Sequence, residues 1–112
     1  MRYLCIYKPS KAEGQPPTAE EMATMGKFID EVSKTGILLA TEGCLPSSRG
    51  VRIRQTAGKH TVTDGPFTET KEIIGGYLII RANSIDEAAD IAKSAPLVGT
   101  GSIEIRGLYS GK

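Results

Sequence analysis

The hydrophobic period switches twice from two to nearly four and back again, and each switch opens on a residue that caps helices. Residues 2–8, RYLCIYK, alternate Tyr3, Cys5 and Tyr7 against Leu4 and Ile6 in β-favouring residue types, which predicts a first strand. A loop carrying proline and glycine follows, PSKAEGQPP. Thr18 then opens TAEE, where its hydroxyl can bind the start of the helix and Glu21 can reach back, a capping box. Met22, Met25, Phe28, Ile29 and Val32 recur at three and four residues, so a helix runs to about Thr35 and stops at Gly36. The spacing favours core packing for the two methionines over a binding stripe. The second switch has the same form. Residues 75–82, GGYLIIRA, read as a strand. Asn83-Ser84 then supplies a cap for SIDEAADIAKSA, with Glu87 three residues after Ser84 and Ile85, Ala88, Ala89 and Ala92 along one face, and Pro96 closes it.

Three more strands fill the pattern. Residues 37–45, ILLATEGCL, form one that is largely buried at its start. VRIRQ and KHTVT alternate on either side of Thr56, Ala57 and Gly58, which predicts a β-hairpin, and SIEIRGLY (102–109) ends the chain with Ile103 and Ile105 facing one way. The order is strand, helix, strand, hairpin, strand, helix, strand. It predicts one α+β domain over residues 1–112, a ferredoxin-like split βαβ sandwich with an extra β-hairpin and both helices on one face. Tyr3, Tyr7, Leu78 and Ile80 with their neighbours supply apolar groups to both faces, and two helices cover one. A second copy on the open face gives a homodimer, a dimeric α+β barrel.

Charge and composition remove several functions. Lys and Arg number 14 against 13 Asp and Glu, a formal net charge of +1, so no general field draws the chain to nucleic acid or an anionic membrane. IGGYLII lacks the exposed aromatic pattern of an RNA-binding sheet. No apolar run approaches the roughly 20 residues of a membrane span, and the amino terminus has no secretory leader, which predicts a cytoplasmic protein. Cys5 and Cys44 are far apart and in no CxxC pair, and His60 is the single histidine, so neither a disulfide nor a metal site is expected. No cofactor is expected either, since no helix follows Gly75-Gly76 to cradle a phosphate. That glycine pair predicts instead a close backbone approach or a bulge.

DGPFTETKE followed by IIGGYLI resembles the signature of the DGPF-domain proteins, a branch of the YCII-related family. RYLCIYK, EEMATMGKFIDEVSKTGILLATEGCLP, SIDEAADIAKSAP and GSIEIRGLY extend the resemblance, in order, over nearly the whole chain. It implies a dimeric α+β barrel of ferredoxin-like subunits and little about chemistry. Many DGPF members are encoded beside extracytoplasmic-function sigma factors, which implies an accessory or signalling role. Relatives in the wider superfamily include small cofactor-free enzymes acting on aromatic or lactone substrates. Enzymatic YCII members pair a first-helix histidine with an aspartate, but here the matching helix position holds Met25. His60 lies on the predicted hairpin, and four residues of extended strand separate it from Asp64 by roughly 13 Å.

Within the motif, Asp64 ends a strand before Gly65-Pro66, where an aspartate commonly fixes the turn through backbone N–H groups. It is also the one candidate catalytic residue, a carboxylate for acid–base work. Phe67 predicts an apolar anchor for the loop or a pocket wall, and Glu69 a ligand contact. Tyr3, Tyr7 and Tyr77 complete the candidate ligand-binding set, as phenolic donors lining a cavity or as packing groups. Arg49, Arg52, Arg54, Lys59 and His60 make a basic hairpin, a pattern that deters edge pairing. Two functions stand on these residues. One is a dimeric small-molecule-binding or signalling module, in association with a sigma factor; the other is a cofactor-free enzyme using Asp64 on a small cyclic or aromatic substrate.

Overall fold

The computed structural model describes residues 1–10, 15–67 and 73–109. Its strands are β1 (Arg2–Pro9), β2 (Leu38–Gly43), β3 (Val51–Thr56), β4 (Lys59–Asp64), β5 (Gly76–Arg81) and β6 (Gly101–Gly107), and its helices α1 (Ala19–Lys34) and α2 (Ile85–Lys93). Four strands make an antiparallel sheet in the order β2-β5-β1-β6, while β3 and β4 pair only with each other. β1 and β2 thus flank β5, the split βαβ arrangement expected of a ferredoxin-like fold with an inserted hairpin.

Local chemistry sets the helix ends. Thr18 Oγ1 accepts from the Glu21 N–H at 3.0 Å, and a Glu21 carboxylate oxygen accepts from the Thr18 N–H at 3.0 Å, the reciprocal capping box. α1 terminates where Gly36 takes a φ of 75°, a left-handed conformation that glycine adopts without steric cost. Ser84 Oγ accepts from the Glu87 N–H at 3.1 Å and starts α2 in the same way. Ile85 departs from expectation. It is exposed, whereas Ala88 and Ala92 are buried, so the buried face of α2 is built from alanines that let the helix sit close to the sheet.

The core lies between the helices and one face of the sheet. Tyr3 and Cys5 of β1 and Leu78 and Ile80 of β5 meet Phe28 of α1 and Ala88 of α2, with Ile103 and Ile105 of β6 packed beside them. The register explains the set: Tyr3 opposes Ile80 and Cys5 opposes both Leu78 and Ile105, so all project to the same side. Full burial of a side chain such as Ile80 is worth about 1.5–3 kcal/mol. Leu4, Ile6 and Ile79 occupy the opposite face. Each is half-buried, and neither helix lies over them.

The hairpin packs mainly on itself. Ile53 opposes Val62, and these two, with Val51, remain well exposed. The projecting arm accounts for a radius of gyration of 15.9 Å, against about 13 Å for a compact chain of this size. The molecule is correspondingly flat, only 19 Å along its shortest axis.

Candidate functional site

A cavity of about 700 Å³ opens beside the core, between the first half of α1 and the sheet. Met22, Met25 and Ile29 come down from the helix, and Cys5, Tyr7 and Ile103 rise from the strands. The mouth is bounded by the Pro16-Pro17 approach to α1, by Cys44 and Leu45 after β2, and by Ile73 and Ile74 before β5. Both methionines therefore face a cavity. Met25 is half-buried against the core while Met22 is 62% exposed, so core packing describes only the first.

Tyr7 is the best-held polar group in the wall. Its Oη lies 2.6 Å from Thr100 Oγ1 and 3.4 Å from the Thr100 carbonyl oxygen, and Thr100 also lines the cavity. Thr100 ends a 3₁₀ turn, Pro96–Thr100, directly before β6. Gly75 fixes the ring from the other side. A Cβ there would fall 2.8 Å from Tyr7 Cδ2 and 3.0 Å from Pro9 Cδ. The Gly75 N–H donates to the Tyr7 carbonyl at 2.8 Å, and its own carbonyl accepts from the Cys44 N–H at 2.9 Å. At Gly76 a Cβ would sit 2.7 Å from the Glu42 carbonyl oxygen. The close approach expected of the glycine pair is thus what the structure contains.

The other sequence candidates are placed differently. Tyr3 is buried in the core, its hydroxyl donating to Met1 Sδ at 3.5 Å, and it does not line the cavity. Tyr77 touches the wall where β5 begins, although strand alternation sends its ring to the opposite face with Ile6. Asp64 is exposed at the end of β4, across from Val51, and lies outside the cavity wall. Glu69 lies outside the described residues.

The motif around Asp64 has a local explanation. Gly65 crosses the Ser47–Arg49 turn so closely that a Cβ would overlap the Ser47 carbonyl oxygen, and its N–H donates to the Gly50 carbonyl at 3.0 Å. The Gly65–Pro66 peptide is cis. Phe67 is half-buried, with the Arg52 guanidinium 4.2 Å from its ring centroid. That cation–π contact joins the basic hairpin to the anchor residue.

Burial pushes the Cys5 thiol above its ordinary value, which keeps it protonated, while Cys44 is exposed. No histidine lies among the described wall residues. No group of three or more His, Cys, Asp or Glu side chains suited to a metal occurs among the described residues.

A model of the YCII-related domain matches residues 1–110. This chain belongs to the YCII-related family. One relative within reach of sequence comparison, an uncharacterized protein of Rhizobium meliloti (strain 1021), is 35% identical over 101 residues, 88% of this chain and 78% of the relative. Among solved structures, this YCII-related chain is similar to 5-chloro-2-hydroxyhydroquinone dehydrochlorinase (TftG) from Burkholderia phenoliruptrix AC1100, in complex with 2,5-dihydroxybenzoquinone. The TM-score is 0.58 at 16% identity, covering 97% of this chain and 94% of that one. At that identity the likeness establishes a shared fold. Among the described residues no helix of the YCII-related chain is long and apolar enough to cross a membrane.

Proposed function

We propose that this protein is a homodimeric small-molecule-binding module that holds a compact, largely apolar ring compound beneath α1. The observation that carries the reading is the cavity. Its volume of about 700 Å³ falls within the roughly 300–1,000 Å³ of ligand sites, and apolar walls with a few placed polar groups are their usual make-up. The fold neighbour TftG was solved with a single-ring ligand, 2,5-dihydroxybenzoquinone, which supports the same class here. Catalysis through Asp64 is the weaker alternative. The carboxylate is exposed on the hairpin, outside the cavity wall, and Met25 stands where enzymatic relatives place a histidine.

The dimer reading rests on the open face of the sheet. Leu4, Ile6 and Ile79 form an apolar centre, and Lys8, Glu104 and Arg106 a charged rim joined by contacts of 2.9 and 3.0 Å. An apolar centre inside a polar rim is the anatomy of a protein interface. The exposed Val51, Ile53 and Val62 of the hairpin extend the surface toward the roughly 1,200–2,000 Å² of a stable complex. Resemblance to proteins encoded beside extracytoplasmic-function sigma factors supports an accessory role to such a factor, with ligand occupancy as the signal.

Native mass spectrometry of protein purified from its own host tests the core of this reading. The expected species has twice the 11.9 kDa of the chain and carries a retained small molecule. A monomer that stays empty when challenged with ring compounds refutes it.

A further inference from the structure

We infer that the cavity selects ring compounds carrying free hydroxyl groups, because its best-held polar atoms have committed their hydrogens elsewhere and present lone pairs. This rests on reading the cavity as a small-molecule site.

One hydrogen assignment uses both hydroxyls of the Tyr7–Thr100 pair: Thr100 Oγ1 donates to the Leu97 carbonyl at 3.2 Å and Tyr7 Oη donates to Thr100 Oγ1 at 2.6 Å. The Thr100 carbonyl, 3.4 Å from Tyr7 Oη, already accepts from the Ser10 N–H at 3.0 Å and the Ser10 hydroxyl at 2.9 Å, so it does not compete for the Tyr7 hydrogen. In this arrangement both hydroxyl hydrogens are used inside the protein, and acceptor capacity is left over. Thr41, also in the wall, donates to the Tyr77 carbonyl at 3.0 Å and is left in the same state.

Two backbone donors of the wall are already engaged. The Gly75 and Cys44 N–H groups are bonded to the carbonyls of Tyr7 and Gly75. Gln15 keeps an amide donor, but it is exposed at the mouth, where water competes for it.

A phenolic or alcoholic O–H entering this wall finds lone pairs to receive it. A ring carrying only ether oxygens sets lone pair against lone pair and leaves polar atoms unsatisfied on both sides, a mismatch that binding sites discriminate against strongly.

Isothermal titration calorimetry with hydroquinone, 4-methoxyphenol and 1,4-dimethoxybenzene tests this on rings of similar size. Wild type should bind hydroquinone roughly tenfold or more tighter than the dimethoxy compound, the worth of one hydrogen bond, with 4-methoxyphenol between them. Tyr7→Phe should narrow that ratio by weakening hydroquinone and leaving dimethoxybenzene unchanged. Thr100→Val removes the other half of the pair and should narrow it likewise, which keeps the test open if either variant folds poorly. If all three compounds bind wild type alike, or the more apolar one binds best, hydroxyl selection is overturned while the cavity remains a ring-compound site. If none binds, the site reading fails and this inference fails with it.

Discussion

Replacing Gly75 with alanine should damage the protein through one ring. The new Cβ would stand 2.8 Å from Tyr7 Cδ2, whereas carbon atoms in contact prefer about 3.5–4.0 Å. The ring must therefore retreat by roughly 0.7–1.2 Å. That stretches the 2.6 Å bond between Tyr7 and Thr100 past the roughly 3.0 Å limit of a good O–H···O bond. Overpacking costs about 1–3 kcal/mol and the lost bond about 1 kcal/mol. Reduced freedom of the unfolded chain returns about 0.4–1 kcal/mol, so Gly75→Ala should lose about 1–3 kcal/mol net. Urea unfolding followed by far-ultraviolet circular dichroism measures it. Gly26→Ala is the matched control, since a Cβ there meets nothing within 4 Å in the middle of α1. It should gain about 0.5–1 kcal/mol. In a Tyr7→Val background most of the Gly75→Ala penalty should vanish, leaving only the contact with Pro9 Cδ at 3.0 Å. Equal penalties in both backgrounds would falsify the claim that the glycine exists to seat the tyrosine.

Acid sensitivity should involve Glu104. Its hydrogen bond from Lys8, then the Lys8 and Arg106 charges, hold its carboxyl below the ordinary 4.5. The contribution is therefore complete above that value and lost as pH falls through the lowered one. Glu104→Gln should trail wild type near neutral pH, with the gap closing in acid; a gap that persists at about pH 2 would show that charge is not its source. The two thiols should also separate. A disulfide reagent such as dithionitrobenzoate should label exposed Cys44 in the native protein and buried Cys5 only on unfolding, with a cavity ligand slowing Cys44. Equal labelling of both in the native state would contradict the burial of Cys5.

Much of the fold is legible because local chemistry and global packing agree. Thr18, Glu21, Gly36 and Ser84 mark helix ends by hydrogen bonds that span three residues or a single backbone conformation, so the sequence carries them openly. The hairpin turn likewise falls at Ala57 and Gly58, both with positive φ. The short 3₁₀ turns at Ser47–Arg49 and Pro96–Thr100 carry no periodic signal and are not anticipated. The site is harder to read. Tyr7 and Thr100 are 93 residues apart, and nothing at either position announces the other. The DGPF stretch drew attention to Asp64, yet Gly65 and Phe67 have local structural tasks against Ser47 and Arg52, tasks visible only once the chain is folded. Met22 and Met25 share a helical spacing that suits a core, and only their height along α1 puts them over the cavity.

The first strand has no early partner. β1 pairs with β5 and β6 alone, so Tyr3 must wait for Ile80 and then for Gly107. Contacts that span most of the chain must meet the cost of closing a long loop before they repay it, which slows assembly and leaves strand edges unpaired meanwhile. On the ribosome, β1 emerges before β5 and β6 and stays without its sheet until both have followed. The cavity wall that joins Tyr7 to Thr100 is then among the last features to form. A ligand that binds it can act only on finished molecules, drawing the folding equilibrium toward them by mass action. Chains truncated before residue 100 should be both unprotected by ligand and exposed to aggregation through β1, so occupancy of this cavity would distinguish chains that carry Thr100 and β6 from fragments that stop short of them.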